Sequence, residues 1–471
     1  MSLKNIDNIM RDMNLSKYLT SIMVLFYIPL IIFDIPFRDD LSRLYGSYID
    51  LFLLGRPAAD IVFSIISFGS PGPNLSPLPK IISLAFLCMT SIVIYRRFFE
   101  SKGLVGALAV FLLLANPFIL QNFAYQYDSL PMTMAIFLSS IAYCLDVKSI
   151  YKRLILITSL LFISLCLYQA GIIVCACLVI CGILQSICAG KSLNELFVKN
   201  IHFLLAAIIA VLFYYFIIIH NNNQLSSRGE LASLDGIFNN FRFISNKLKE
   251  LYGSKYEVCV VILSFIIISC SLYLILNNKN SCAIFIPLLF IALVFVSLLP
   301  SGILKEGFVG PRTLMALGSL WIALAIVFKL FKVPSYIILI TFLILLSNSF
   351  MIAFGFTGEL REQESRYNTA TTQIINYTLN EKNNSYKTVH VHNKLSKSKQ
   401  EKNYIAMNSF IDWMNPEEAW VFRFFLKNHG EDRVVNDWTD GGGDIPNESI
   451  DFDNKYFYSI KSGDGIHIIL K

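Results

Sequence analysis

The sequence predicts a polytopic α-helical membrane protein of about eleven transmembrane helices with a small C-terminal α/β soluble domain. Three observations carry that prediction. Of 471 residues, 55% are hydrophobic and 15% charged, whereas a soluble globular chain is roughly one-quarter charged. The apolar residues stand in long blocks, such as LTSIMVLFYIPLIIF, LLFISLCLYQAGIIVCACLVICGIL and SYIILITFLILL, which are of bilayer-spanning calibre. From Thr357 onward the character changes: 31 of the last 115 residues are charged, and no stretch there is apolar enough to span. A water-soluble enzyme with one ordinary core is excluded. The division expected is a membrane body over 1–356 and a soluble domain over 357–471.

The net charge of +6 matters less than its distribution. The body holds 25 basic and 16 acidic side chains, the tail 14 and 17. The basic excess lies between spans rather than on one face, so nucleic acid is not an expected partner. All ten cysteines, from Cys88 to Cys282, fall in or beside apolar segments. They read as packing residues, with no disulfide framework and no zinc signature. The N-terminus is basic, and no small-residue cleavage site follows the first apolar run. That run is read as a retained helix, not a signal peptide.

Spans of roughly 17–22 residues, the length a 30 Å hydrocarbon core requires, are expected over 17–36, 78–98, 103–121, 130–145, 153–169 and 171–189. Further ones are expected over 201–220, 256–276, 283–299, 312–331 and 334–354. The apolar stretch around Tyr168-Gln169-Ala170 is too long for one helix, so a tight hairpin is placed there. The N-terminus and alternate short loops carry 14 basic against 5 acidic residues, which puts them in the cytoplasm. An odd number of spans then leaves the C-terminal domain outside, in the periplasm of a Gram-negative host.

The outer side holds the polar chemistry. In the first outer loop, residues 37–77, Leu41, Leu44/Tyr45, Tyr48 and Phe52 recur at helical spacing, with Arg43, Ser47 and Asp50 on another face. An interfacial helix lying on the membrane is expected, ended by Gly55-Arg56-Pro57. A second apolar stretch over 61–68 and a Pro-rich turn over 71–79 follow. In the tail, 367–379 has helical periodicity and Thr388–His392 alternates like a strand. KYFYSIKSGDGIHIILK reads as a closing hairpin, and the basic 394–402 stretch as an exposed loop.

Asp39-Asp40 opens the first outer loop. Two carboxylates beside a membrane are costly unless hydrated, capping or catalytic. Asp is a favoured N-cap, worth about 1 kcal/mol, and Asp40 is spaced to pair with Arg43. The functional alternative is a general base that takes a proton from an incoming hydroxyl. In that reading Asp39 caps the helix and Asp40 faces the cavity. Arg56 and Asp60 either pair with each other at i, i+4, or Arg56 grips a lipid-linked phosphate. Arg312, in GFVGPRTL, is a second arginine of that kind, with Glu306 as its alternative partner.

Asp128, in AYQYDSLP, either caps the helix that follows or joins Tyr125, Gln126 and Tyr127 in hydrogen bonding to sugar hydroxyls. Tyr168 and Gln169 form a polar pair in a deep apolar segment, where polar groups face protein or a cavity rather than lipid. Trp413, Trp420 and Trp438 are either core or sugar-stacking faces. Gly441–Gly443 reads as a loop. His390 and His392 share a strand face, but without Cys or further His nearby no metal site is expected.

The order of these features resembles a known pattern: an acidic pair after the first span, GRP, a YQYDS loop, an LYQA hairpin and a PRT-led late span. It is similar to the serotype-converting O-antigen glucosyltransferases of bacteria and their phages, the GtrII-type family, over the whole membrane body. The resemblance implies a GT-C architecture in the bacterial inner membrane, with the active site on the outer face. It implies a polyprenyl-phosphate sugar as donor, with glucose as the sugar, and lipopolysaccharide O-antigen as acceptor. The family's acidic position maps to Asp39-Asp40 and its YQ-D loop to Tyr125, Gln126 and Asp128. Arg56 and Arg312 rest on the physical argument alone, and Arg43, Asp60, Tyr168, Gln169 and Glu306 join them as candidate substrate-binding residues. The reaction expected is inverting, with an Asp base. No cofactor is implied with certainty, and assistance by a divalent cation stays open. The rival readings are a flippase for lipid-linked sugars and an O-antigen polymerase or ligase. Charge-free span interiors and one-sided polar loops favour surface chemistry over transport.

Overall fold

The computed structural model describes residues 3–46, 51–70, 72–99, 103–145, 147, 149–220, 230–253, 256–278, 281–305, 310–330, 335–380, 385–435 and 445–471. Helix dominates. The first apolar run forms α1 (Leu3–Phe33), and α2 (Asp39–Gly46) and α3 (Pro57–Ile66) lie in the loop behind it. Then come α4 (Leu78–Phe99), α5 (Leu104–Leu114), α6 (Pro117–Ala124), α7 (Ser129–Cys144) and α8 (Ile150–Leu167). A 3-10 turn at Gln169–Gly171 separates α8 from α9 (Ile172–Cys188), so the long apolar stretch is broken into two helices where the break was expected. α10 (Leu193–Tyr214), α11 (Leu234–Tyr252), α12 (Tyr256–Asn278) and α13 (Ile286–Gly302) follow. Two 3-10 turns, Pro311–Thr313 and Met315–Gly318, lead into α14 (Ser319–Leu330).

Among the described residues, six helices are long and apolar enough to cross a membrane: Leu78–Phe99, Ile150–Leu167, Gln169–Cys188, Asn200–Ile219, Cys282–Gly302 and Tyr336–Thr378. α5 and α6, bent by 49°, make a seventh if counted as one broken span. The bend has a local cause. Asn116 accepts from the amides of Phe118 and Ile119, and Pro117 follows it, so a new helix begins in the middle of an apolar run. Shorter apolar helices occupy Lys17–Phe33, Ser129–Cys144, Ser264–Leu276 and Met315–Lys329, where four more spans are expected, and Pro57–Ile66 in the first loop. The chain is a membrane protein, mostly helical, with a small C-terminal sheet.

The position where composition changes lies inside a single helix, α15 (Ser335–Thr378). Beyond it are α16 (Lys399–Met407), α17 (Phe410–Met414) and α18 (Ala419–Asn428). Strands β1 (Thr388–His392), β2 (Ile450–Asp453), β3 (Phe457–Ser462) and β4 (Gly465–Leu470) form one sheet in the order β1-β4-β3-β2. β1 runs parallel to β4. β3 and β4 are the expected hairpin, closed at Ser462 and Gly465. The expected loop over 394–402 is corrected: Ser398 and Glu401 form a capping box that starts α16. Glu401 is fully buried against Arg366, at 2.7 Å.

One apolar core runs through the body, with Phe26, Tyr27, Phe111 and Phe350 in ring contact. α17 inserts Phe410, Ile411 and Trp413 into the same core. A smaller core gathers Tyr367, Ile374, Val391, Phe422 and Ile468, together with Leu41 from α2. The expected interfacial helix is therefore corrected. Leu41 and Tyr45 do form an apolar face, but α18 and its neighbours cover it, not lipid. Apolar side chains on a short amphipathic helix are buried equally well by protein or by lipid, and spacing alone does not distinguish them. Ser47, Tyr48 and Asp50 of that helix lie outside the described residues, as does Pro71 of the Pro-rich turn.

Candidate active site

The turn from α1 into α2 carries two left-handed non-glycine residues, Asp34 (φ 41°) and Arg38 (φ 50°). Such backbone costs on the order of 1–2 kcal/mol per residue, and each residue is tied down. Asp34 meets the buried ammonium of Lys80 at 2.8 Å. Arg38 donates to both carboxylate oxygens of Glu418, at 2.8 and 2.9 Å. The acidic pair follows directly.

Asp40 is fully buried. Its carboxylate accepts three backbone amides: Phe37 at 3.0 Å, Gln126 at 2.8 Å and Tyr127 at 3.2 Å. Burial pushes its pKa up to about 7, against the opposing pull of Arg43 and the amides. Asp39 has a side chain 36% exposed, facing Arg312 at 3.5 Å. The expectation that Asp39 caps and Asp40 opens outward is corrected. Asp40 holds amides at the head of α2 and in the 125–128 loop, and Asp39 is the accessible acid.

Asp128 directly precedes α7, yet its side chain makes no capping hydrogen bond. It is bracketed by two arginines instead, Arg43 at 3.0 Å and Arg56 at 3.6 Å. Burial alone would raise its pKa, but Arg43, Arg56 and Arg312 overcome that and hold it below the usual carboxylate value. The Asp40–Arg43 and Arg56–Asp60 pairings that spacing allowed are thus corrected. Arg43 turns to Asp128, and Asp60 accepts the amides of Leu51 at 3.0 Å and Phe52 at 2.5 Å. Arg56 also donates to Gln169 at 3.4 Å and lies 4.8 Å over the Tyr168 ring.

Arg312, on the Pro311–Thr313 turn, donates to the Tyr125 hydroxyl at 2.5 Å and stacks over its ring at 5.0 Å. The turn is held through its backbone. The Arg312 amide donates to Gln121 at 2.8 Å, and its carbonyl accepts from Asn122 at 3.0 Å. Burial raises the Tyr125 hydroxyl above its ordinary pKa, so it stays protonated. Gln126 and Gln169 are braces. Gln126 donates to the Asp34 carbonyl at 2.6 Å, and Gln169 donates to the Leu54 carbonyl at 3.0 Å and the Tyr214 hydroxyl at 2.8 Å. Glu306 lies outside the described residues.

Four loops distant in sequence therefore meet: 34–43, 56–60, 125–128 and 312, with Tyr168 beneath. Asp39, Asp40 and Asp128 meet Arg43, Arg56 and Arg312 at this rim. Asp39, Arg56 and Arg312 keep partial exposure, with the two arginine side chains at 14% and 15%. An accessible acid beside partly exposed guanidiniums can accept a proton at one point and bind an anion at the next.

Sequence reasoning missed Asp34, Arg38, Lys80, Gln121, Asn122, Tyr214 and Glu418. Lys80 did carry a signal, as a lone cation at the head of an apolar helix. The others have partners dozens to hundreds of residues away. His390 and His392 share a face with His467, whose ring stacks 4.7 Å from that of His390. His392 and His467 meet nitrogen to nitrogen at 2.9 Å. Among the described residues no group of three His, Cys, Asp or Glu is arranged to hold a metal ion. Trp413 and Trp420 are buried in the two cores. Trp438 and Gly441–Gly443 are outside the described residues.

Residues 28–323, which contain α2 and each of Asp39, Arg56, Asp128 and Arg312, match the family model described as Glucosyl transferase GtrII. A 55.3 kDa protein of the gtrB 5′ region of Salmonella phage P22 is 33% identical over 176 residues, covering 37% of this chain and 36% of that protein. The match thus spans about a third of the relative's length. No solved structure matches the chain. With the family model covering well over half of its length, the chain belongs to the GtrII glucosyl transferase family.

Proposed function

We propose that this protein is a multi-pass inner-membrane glucosyltransferase of GT-C type. It moves glucose from a polyprenyl-phosphate carrier to lipopolysaccharide O-antigen on the outer face. Family membership supports the reaction class. One observation carries the mechanism: an accessible carboxylate, Asp39, stands 3.5 Å from Arg312, next to the Arg43–Asp128–Arg56 cluster.

The acceptor hydroxyl approaches Asp39, which takes its proton as the hydroxyl oxygen bonds to the anomeric carbon. The bond from that carbon to the phosphate oxygen breaks on the opposite face. The electron pair leaves with polyprenyl phosphate, and the configuration inverts. Arg312 and Arg56 bind the departing phosphate, where bidentate guanidinium contacts are strongest. Asp128 orients Arg43 and Arg56. Asp40 is a positioning residue, because its three amide contacts and full burial keep it from an acceptor.

Asp39→Asn should lower transfer by about 10²–10⁴-fold, with unchanged amounts of protein in the membrane. Membranes supplied with labelled lipid-linked glucose read this directly. Full activity in the variant would remove Asp39 as the base. Label that crosses the bilayer without reaching polysaccharide would favour a flippase, and lengthened polysaccharide a polymerase or ligase.

Eleven spans, a cytoplasmic N-terminus and a periplasmic domain from residue 357 complete the proposal. They are supported by helical structure in the expected segments, six or seven of them long and apolar enough to cross a membrane among the described residues, and by the basic bias of alternate loops. Alkaline phosphatase, active only outside the cytoplasm, should work when fused after Lys471 and fail when fused after Lys191. The reverse pattern would invert the orientation.

A further inference from the structure

A cavity of about 600 Å³ opens between the end of α15 and the edge strand β2, away from the candidate active site. Its helical wall is Gln373, Asn376 and Tyr377, at the i, i+3 and i+4 spacing of one helix face, with Asn380 two residues past the helix end. Opposite it stand Asp451 and Phe452 of β2. Three of these four residues are amides, and Asn376 and Asn380 are exposed. Gln373 is oriented by a hydrogen bond from Asn454 at 3.0 Å.

The aromatic pair is Tyr377 and Phe452, stacked with centroids 5.0 Å apart at 26°. Phe452 remains 39% exposed on a strand whose four residues all face solvent. Charge in the lining is balanced: Asp451 pairs with Lys461 at 2.9 Å and accepts the Tyr377 hydroxyl at 2.6 Å.

We infer that this cavity holds a neutral oligosaccharide segment of the acceptor glycan, at a distance from the sugar being modified. The inference rests on the glycosyl-transfer reading for the identity of the ligand as acceptor. Amides donate and accept in one plane and so match adjacent hydroxyls, and an exposed ring offers an apolar face to sugar C–H groups. A balanced Asp–Lys pair gives no net attraction to a phosphate or nucleotide. The volume lies in the range of small-molecule sites, roughly 300–1,000 Å³. The part of the chain that bears the cavity is also clamped to the loop of Asp39 through Arg38 and Glu418. A polymer held here is thereby tethered to the catalytic part.

Contacts remote from the reacting atoms act equally on ground and transition states, so they change KM and leave kcat alone. The test uses the full chain in nanodiscs and a neutral O-antigen polysaccharide freed of lipid A. Wild type should bind it. Asn376→Ala/Asn380→Ala, on exposed positions, should weaken binding and raise the polysaccharide KM by about tenfold, the worth of one or two hydrogen bonds. The kcat, and the KM for a single-repeat acceptor, should not change. Phe452→Ala should weaken binding likewise. Transfer with unaltered KM and affinity in both variants would overturn this site and leave the transferase reading intact. Binding that the variants lose, with no transfer even in wild type, would keep the cavity as a glycan site and sink the transferase reading instead. A preference for a charged glycan or a peptide over the neutral polysaccharide would also overturn it.

Discussion

Neighbouring aspartates have opposite surroundings here. Asp40 is surrounded by backbone donors and sealed from water, whereas Asp39 looks out toward Arg312. This difference has a measurable consequence for Asp40, which lies outside the spans. Its pKa is raised from 3.8 to about 7 by burial, so the folded state holds that proton more tightly than the unfolded chain does. Stability therefore falls as the pH rises between those two values, because the folded state binds more protons there. Thermal unfolding in detergent from about pH 4 to 8 should show wild type losing stability relative to Asp40→Asn up to about pH 7. A difference that stays flat would mean the carboxyl ionises normally. Asp128 acts in the opposite sense: its depressed pKa contributes stability above 3.8 that is lost as the pH falls below it.

The elements come together closely at a few points, and Gly318 marks one. A Cβ there would lie 2.8 Å from the Cα and carbonyl oxygen of Leu113 and from the Asn116 amide nitrogen. Backbone cannot rotate aside as a side chain can. Asn116 is also the cap that bends α5 into α6. Gly318→Ala should cost about 1–3 kcal/mol by overpacking, seen as a lower unfolding midpoint in detergent. An unchanged midpoint would mean the two segments can separate freely. The pattern of elements was largely legible. Helical structure lies in the expected segments, with six helices, or seven with the bent pair, long and apolar enough to cross a membrane among the described residues, and the β3–β4 hairpin follows from alternation around Gly-Asp-Gly. The start of α16 was written in Ser398-x-x-Glu401 but hidden by the basic character of 394–402. The surroundings of α2 were not legible, since Leu41 is as apolar beside lipid as beside α18.

Across the whole molecule, the C-terminal part reaches back to hold the loop that carries Asp39. Glu418 grips Arg38 with both oxygens, Trp420 donates to Glu418, and Asn428 donates to the Leu41 carbonyl at 2.8 Å. Small misplacement of a reacting group is expensive in rate, so the role proposed for Asp39 depends on this distant clamp. Glu418→Ala should lower turnover by about 10–100-fold while the protein still reaches the membrane in normal amounts. Turnover equal to wild type would make the clamp dispensable.

The sequence by itself determined the membrane class, the apolar segments that become helices, the closing hairpin and the family likeness. These depend on apolar length, periodicity and short motifs, which are local. It also supplied Asp39, Asp40, Arg43, Arg56, Asp128 and Arg312 as one set of charged residues near helix ends. Only the tertiary structure decided their partners. Arg43 and Arg56 both left the nearby acids that spacing offered and turned to Asp128, while Arg312 reached Asp39 across 273 residues. Spacing along one helix fixes which residues share a face, but a buried charge is stabilised by whichever opposite charge the packing brings within a few ångströms.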